Sequence, residues 1–192
     1  LPQALLTPKE AIRLLESIDT RKPLGARDRA MIEVLYATGI RNAELRALTL
    51  ADYDAAACTL SVRAGKGGKD RVVPLGPVAS RVLSAYLEKT RPLFAARTPH
   101  VFLTKNGHPL DTLAVINAVK RAAKAAGIGK PIRPHRLRHA CATHMLKGGA
   151  DIRHIQQLLG HGSLSTTQVY TQVEIADLKA VHRRFHPRER RQ

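Results

Sequence analysis

One tyrosine stands in a short polar stretch near the C-terminal end of the sequence. The stretch is "LSTTQVYTQ", residues 164–172, and it follows Gly160-His161-Gly162. Most tyrosines in folded proteins are packing residues with a hydrogen-bonded hydroxyl. A phenol can also be a nucleophile, but only about one in a thousand is ionised at pH 7, so it needs help with its proton. Tyr170 is therefore either a surface residue or a reactive group, and the rest of the sequence has to decide.

The window "RPHRLRHACATHML" holds a second set of groups that could do chemistry. If it is a helix, His135 and Arg138 lie about 60° apart on one side, roughly opposite an apolar face formed by residues 137, 140, 141 and 144. An imidazole and a guanidinium that point the same way can bind an anion. A solvated basic face is the alternative interpretation of the same pattern.

Two other histidine patterns in this window favour ordinary roles. His135 and His139 have the i, i+4 spacing of a metal pair, but Arg138 would repel a bound cation and no carboxylate is near in sequence. His144 lies on the apolar side and is predicted to be a hydrogen-bonded core histidine. The sequence therefore gives little support to a zinc site.

Arg41 and Lys66 lie where a phosphate could be bound. Arg41 follows a glycine that ends one helix and precedes Asn42, a suitable cap for the next, so backbone N–H groups already favour an anion there. Glu44 could hold the Arg41 guanidinium in place, or the two could form a plain surface ion pair. Lys66 is flanked by glycines in a hairpin turn that can approach a ligand, although exposed turn lysines are common.

The elements that carry these residues are mostly helical. Thr7-Pro8-Lys9-Glu10 is a capping box with proline at the first helical position, which predicts a helix from residue 8. "CTLSVRAG" and "DRVVPLG" predict a hairpin, with 48–53 as a possible third strand. The remaining helices are predicted at about 27–37, 43–48, 78–90, 112–126, 135–147, 152–159, 166–171 and 174–185. The fold class is thus mainly α with a small antiparallel β-sheet, in one domain over 1–192.

Charge indicates the partner. Lys and Arg number 32 against 15 Asp and Glu, which gives a formal charge of +17 and favours a polyanion. A membrane surface is disfavoured because no stretch is long and apolar enough to span and no helix concentrates its basic residues on one face. Aromatic residues are 4%, too few for base-stacking platforms, so the backbone of duplex DNA is the expected partner. Two cysteines among apolar neighbours predict a reducing cytoplasm and no disulfide.

In this order, Gly39-Ile40-Arg41, the Lys66 hairpin, His135-Arg-Leu-Arg138-His139, Leu159-Gly160-His161 and Tyr170 resemble the tyrosine recombinase (phage integrase) family. "LYATGIRNAELRAL", "GKGGKDRVVPLG" and "LGHGSLSTTQVYT" are most similar to its Xer branch. The resemblance covers nearly the whole chain, and no signature position is replaced. It implies the catalytic-domain fold of that family, in which an additional N-terminal DNA-binding domain of about a hundred residues is usual; we expect that domain to be absent from this sequence.

The resemblance also implies roles for six residues. Tyr170 would be the nucleophile, Lys66 the general acid, and His135 would assist proton transfer. Arg41 and Arg138 would clamp the scissile phosphate, to which His161 would donate a hydrogen bond. Arginine forks supply the charge stabilisation that metal ions provide elsewhere, so no metal, cofactor or ATP is expected.

The implied function is site-specific DNA recombination through a 3′-phosphotyrosine. The expected partner is double-stranded DNA, bound by a homo- or hetero-tetramer on paired sites that is joined through the C-terminal helix at 174–185, in the cytoplasm and at the nucleoid. That helix could instead pack on its own domain. A type IB topoisomerase-like enzyme and a DNA-binding accessory module that does not cut are the alternative functions.

Overall fold

The computed structural model describes residues 5–63, 70–160 and 172–189. Over these ranges the chain is mostly helical with one small antiparallel sheet, which confirms the predicted fold class. The helices, in chain order, are α1 (Pro8–Glu16), α2 (Pro23–Thr38), α3 (Asn42–Ala47), α4 (Pro77–Ala85), α5 (Thr112–Ala125), α6 (Pro134–Gly148), α7 (Ile152–Leu159) and α8 (Gln172–Phe185).

Local signals define the ends of the first two helices. At the start of α1, Thr7 and Glu10 form the predicted reciprocal capping box. Helix α2 begins four residues before the predicted start, because Pro23 occupies its first position, where a proline needs no hydrogen-bond partner. Gly39 ends α2 with φ of +65°, the left-handed conformation that the sequence predicts.

The sheet has the order β1 (Tyr53–Asp54), β2 (Thr59–Val62) and β3 (Arg71–Pro74), with antiparallel neighbours. In the central pair Thr59 is opposite Pro74 and Val62 is opposite Arg71. The predicted third strand at 48–53 is wrong for most of its length. Residues 50–52 form a 3₁₀ turn instead, because the Asp52 carboxylate accepts hydrogen bonds from the Thr49 backbone N–H and hydroxyl.

Helix α2 is the centre of the core. Four residues from Met31 to Leu35, namely Met31, Ile32, Val34 and Leu35, are each fully buried, so the helix is covered on all sides rather than along one stripe. It contacts α1, α4, α5 and α6. Helix α4 continues through a π turn over 86–90 into a 3₁₀ turn over 91–94, so only the first part of the predicted helix at 78–90 is α-helical.

Helix α8 packs on β3, α6 and α7 of the same chain. Leu178 and His182 of this helix are buried, and so is His186, which follows just beyond it. Docking of this helix in a neighbouring protomer stays a prediction. The predicted helix at 166–171 lies outside the described residues. Within the described part of the chain, no helix is both long and apolar enough to cross a bilayer.

Candidate active site

Arg41 lies at the start of α3. Its backbone is extended and occupies the cap position, so the predicted cap residue, Asn42, is instead the first residue of the helix. The backbone N–H of Arg41 donates to Glu44 Oε2 at 2.8 Å, and its Nη1 donates to Glu44 Oε1 at 2.9 Å. A third of the Arg41 side chain is exposed. The guanidinium is therefore held from within the protein while part of it faces solvent.

Glu44 is the carboxylate that organises this part of the site. Its side chain is 5% exposed, which excludes the surface ion pair that the sequence left open. A second arginine, Arg71, donates from Nη1 and Nη2 to the two carboxylate oxygens, each at 2.9 Å. Burial alone would raise the pKa of Glu44, but the hydrogen bonds from Arg71 and Arg41 lower that pKa to about 2.

Arg138 reaches this region from α6. Its Nη1 donates to the carbonyl of Gly39 at 2.5 Å and its Nη2 to the carbonyl of Leu159 at 2.7 Å. These bonds fix the guanidinium between the C-terminal ends of α2 and α7. Burial, together with the positive charges of Arg41 and Arg71, lowers the pKa of Arg138 to about 10. Arg138 therefore keeps its charge at neutral pH in a cluster that favours an added anion.

The tertiary structure thus brings together Arg41 and Arg138, two of the six predicted site residues. His135 is exposed on α6, and no partner within the described residues holds its ring. The predicted apolar face of α6 is confirmed, since residues 137, 140, 141 and 144 are all buried. His144 is the predicted core histidine: its Nδ1 shares a hydrogen bond of 2.9 Å with the Tyr36 hydroxyl, and its Nε2 one of 2.7 Å with the Leu6 carbonyl.

Lys66, His161 and Tyr170 lie outside the described residues, so their predicted roles stay predictions. Described residues border the segments that carry Lys66 and His161. Strand β3 begins at Arg71, shortly after the segment with Lys66. Gly160, the residue before His161, ends α7 as the sequence predicts, with φ of +63°.

Sequence reasoning missed Arg71. In "DRVVPLG" it stands at the edge of a strand pattern, where an exposed arginine is expected. Its side chain is only 5% exposed, and its partner Glu44 lies on another element. No local signal marks a buried arginine of this kind, because its burial depends on a carboxylate that the fold supplies.

Among the described residues, Arg41 and Arg138 stand partly open to solvent. A cavity of about 380 Å³ is lined by residues that include Cys58, Ser80 and Arg81, and by neither Arg41 nor Arg138. Enclosed, mainly apolar cavities are typical of small-molecule sites. Cations that stand partly open to solvent instead suit a phosphate within a polymer backbone.

Comparison with known proteins agrees with this geometry. A profile of the phage integrase family matches residues 4–176. The chain belongs to the phage integrase family. Among members of this family, the chain is 48% identical to tyrosine recombinase XerC 2 of Ralstonia nicotianae over 97% of its own length, and 48% identical to tyrosine recombinase XerD of Listeria monocytogenes over 92%. It spans 54% and 60% of these two relatives.

Solved structures of phage integrase family proteins have the same fold. The crystal structure of XerA recombinase superposes with a TM-score of 0.75 at 33% identity, over 94% of this chain and 65% of that one. XerH site-specific recombinase, bound to its difH substrate in a pre-cleavage complex, gives a TM-score of 0.72 at 27% identity, over 92% of this chain and 53% of that one.

Proposed function

We propose that this chain is the catalytic domain of a site-specific DNA recombinase that cuts and rejoins DNA through Tyr170. The observation that carries the proposal is the convergence of Arg41 and Arg138. Arg138, on α6, binds the carbonyl of Gly39, two residues before Arg41, which caps α3. Both are members of the signature by which the sequence resembles the tyrosine recombinases.

The proposed reaction is the exchange of one phosphate ester for another. The Tyr170 hydroxyl gives up its proton with the assistance of His135 as its oxygen attacks the scissile phosphorus. The bond from phosphorus to the 5′ oxygen breaks, and Lys66 gives that oxygen a proton. The products are a 3′-phosphotyrosine and a free 5′ hydroxyl. Because one phosphate ester replaces another, the 5′ hydroxyl of another strand can attack the phosphotyrosine and reverse the step without ATP. This reversal joins the two strands and so exchanges them.

The described arginines would stabilise the charge that develops on the phosphate. A guanidinium stays protonated at neutral pH and matches two phosphate oxygens with its planar fork. Arg138 is already fixed by two carbonyls and Arg41 by Glu44, so little reorganisation is needed when charge develops. His135 and His161 would assist proton transfer and phosphate binding, as the family resemblance implies.

Double-stranded DNA is the proposed partner. The formal charge of +17 supports it, as does the XerH relative, whose structure was determined on its difH substrate. We expect the affinity for DNA to fall steeply with salt, because each neutralised phosphate releases counterions. By the same resemblance we propose assembly as a tetramer on paired sites, through α8, in the cytoplasm and at the nucleoid.

A nicked suicide substrate that carries the protein's own site tests the proposal. The wild-type protein should form a covalent protein–DNA adduct, visible on a denaturing gel, and Tyr170→Phe should not. Tyr53→Phe is the matched control, since the Tyr53 hydroxyl bonds Ser80 and Ser84 away from the arginine cluster. An adduct that persists in Tyr170→Phe would refute the assignment of the nucleophile. Relaxation of supercoiled DNA without sequence preference would favour the topoisomerase alternative.

A further inference from the structure

Arg71 is the most completely bonded arginine near the candidate site. Both of its terminal nitrogens donate to Glu44, and its Nε donates to the carbonyl of Leu158 at 3.2 Å. Its guanidinium also lies against the backbone of Gly160, where an added Cβ would stand 3.0 Å from it. Each of the three Arg71 nitrogens therefore has a protein partner, and the side chain is only 5% exposed.

Arg71 and its partners belong to three separate parts of the chain. Glu44 holds the cap residue Arg41 through two hydrogen bonds. Leu158 and Gly160 form the end of α7, directly before His161. Arg71 itself opens β3, which follows the segment with Lys66. One buried guanidinium thus connects the beginnings or ends of three segments that carry predicted catalytic residues.

We propose that Arg71 is a positioning residue for the strand-cleavage reaction, which fixes Arg41 through Glu44. The inference rests on the proposed function. Arg71 acts through other residues and does not contact the substrate.

The charges of the cluster explain why an arginine is needed here. Glu44 is buried between Arg41 and Arg71, and a carboxylate in that position needs its hydrogen-bonding partners to remain ionised. Without Arg71, the carboxylate would either become protonated or turn fully toward Arg41 and neutralise it. With Arg71 in place, Arg41 and Arg138 keep positive charge available for a phosphate. A lysine could replace the charge but not the three directions of the fork.

Arg27 offers a matched control. Like Arg71 it is buried, and it bonds one carboxylate, Asp28, and one backbone carbonyl, Leu103. Arg27→Met and Arg71→Met therefore each remove a buried ion pair with a carbonyl contact, but only the second removes one from the candidate site. Comparing the two variants separates a loss of stability from a loss of positioning.

The experiment measures the rate of adduct formation on the nicked substrate, at a temperature where circular dichroism shows each variant to be folded. We expect Arg71→Met and Arg71→Lys to slow adduct formation by roughly 10- to 100-fold, the cost of misplacing reacting groups. The Kd for DNA should change less than twofold, since no part of Arg71 reaches the substrate. Arg27→Met should leave the rate close to that of the wild type.

The pH dependence gives a readout that a purely structural role would not move. In Arg71→Met the buried Glu44 has lost its bidentate partner, so it should take up a proton in mildly acid solution and release Arg41. The ratio of variant to wild-type rate should then fall as pH decreases. The ratio should be independent of pH for Arg27→Met and for the double variant Arg71→Met, Glu44→Gln.

Equal rates for Arg71→Met and Arg27→Met, with a ratio that does not vary with pH, would overturn the inference while leaving the proposed function intact. If the wild-type protein forms no adduct that depends on Tyr170, the proposed function fails and this inference fails with it. If Arg71→Met does not fold, the comparison of Arg71→Lys with Arg27→Lys replaces it. The rate of adduct formation and the pH dependence of its ratio to the wild-type rate then decide.

Discussion

The carbonyls at the C-terminal end of α2 accept hydrogen bonds from imidazoles on one side and from a guanidinium on the other. The last carbonyls of a helix have no partner within the helix and must find one elsewhere when buried. On one side, the carbonyls of Tyr36 and Ala37 accept from His186 and His182, at 3.0 and 2.7 Å. On the other side, the Gly39 carbonyl accepts from Arg138.

The two kinds of donor differ in whether their charge changes with pH. The guanidinium of Arg138 stays charged throughout the physiological range, so its side of α2 is permanently positive. The imidazoles are buried and stacked, with ring centres 4.7 Å apart. Burial lowers the pKa of His182 to about 4, and burial together with the neighbouring His182 lowers the pKa of His186 well below its usual value. The side of the α2 end that faces Arg138 therefore carries a charged donor, and the side that faces His182 and His186 has neutral donors.

Neutrality on the α8 side also follows from hydrogen bonding. His186 Nε2 donates to the Tyr36 carbonyl, while its Nδ1 accepts from the backbone N–H of Arg188 at 3.2 Å. A second proton on Nδ1 would remove that acceptor. Glu33 and Arg188 are packed nearby and pair with one another at 2.6 Å. The Glu189 carboxylate is also near, because it lies beside Gly76 as the His182 ring does.

Removing the charged donor should have the largest effect. Arg138→Ala deletes one of the two guanidiniums proposed to stabilise the phosphate, so adduct formation on the nicked substrate should slow by roughly 10²- to 10³-fold. Arg91→Ala is the control, because the buried Arg91 also donates only to backbone carbonyls, those of Thr98 and His100. Equal slowing in the two variants at the same folded fraction would show that Arg138 acts through stability alone.

Acidification should lower the free energy of unfolding through the buried, neutral His182. Below pH 6.5 the unfolded chain binds a proton at His182, whereas the folded chain does not bind it until about pH 4. The contribution of His182 to the free energy of unfolding is therefore fully present above pH 6.5 and is lost as the pH falls toward 4. The loss from His182 should be about 3 kcal/mol. Urea unfolding at pH 7.5 and pH 4.5 measures it as the difference between the wild type and His182→Gln, which does not titrate.

Carboxylates that are stabilised in the folded state also lose stability in acid, and the comparison between variants removes their contribution. His108→Gln provides the matched control, because His108 is exposed. A His182→Gln protein that loses as much stability in acid as the wild type would show that the imidazole at 182 is not what keeps this side neutral.

The glycine between the two sides should show the smallest of the three effects. Gly39 has φ of +65°, and a Cβ there would stand 2.7 Å from Leu159 Cδ2. Gly39→Ala should therefore cost about 1–3 kcal/mol of stability, from backbone strain and from displacement of α7. It should also slow adduct formation, because the carbonyls of Gly39 and Leu159 both hold Arg138.

Gly127→Ala isolates the backbone part of that cost. Gly127 has nearly the same φ, +64°, but nothing lies within 4 Å of the position of its Cβ. Thermal unfolding should show a smaller loss for Gly127→Ala than for Gly39→Ala, with no change in adduct formation. Equal losses in both variants would mean that contact with Leu159 contributes nothing at the end of α2.

Signals confined to a few neighbouring residues were sufficient for much of the secondary structure. The Thr7 capping box, Gly39 and Gly160 each define a helix end by hydrogen bonds or backbone angles within one turn, and the structure confirms all three. The apolar face of α6 was likewise predictable, because periodic burial repeats along the helix itself. The prediction of a strand at 48–53 was wrong for most of its length because the side chain of Asp52 competes for the backbone N–H of Thr49.

The buried polar residues were not predictable in the same way. Arg71 and His182 have the sequence context of exposed residues, one at a strand edge and the other in a basic tail. Each is buried because a partner distant in sequence satisfies it: Glu44 for Arg71, and the Ala37 carbonyl for His182.

The sequence by itself determined the fold class, the helix ends at Thr7, Gly39 and Gly160, and the order of signature residues that identifies the family. Only the tertiary structure decided that Arg41, Arg71 and Arg138 lie around the buried carboxylate of Glu44, and that the neutral imidazoles of His182 and His186 bind carbonyls at the end of α2. The physical reason is one of range. Helix caps and periodic burial depend on residues within a turn or two, whereas burying a charge or an imidazole is favourable only when the folded chain brings its partner to it.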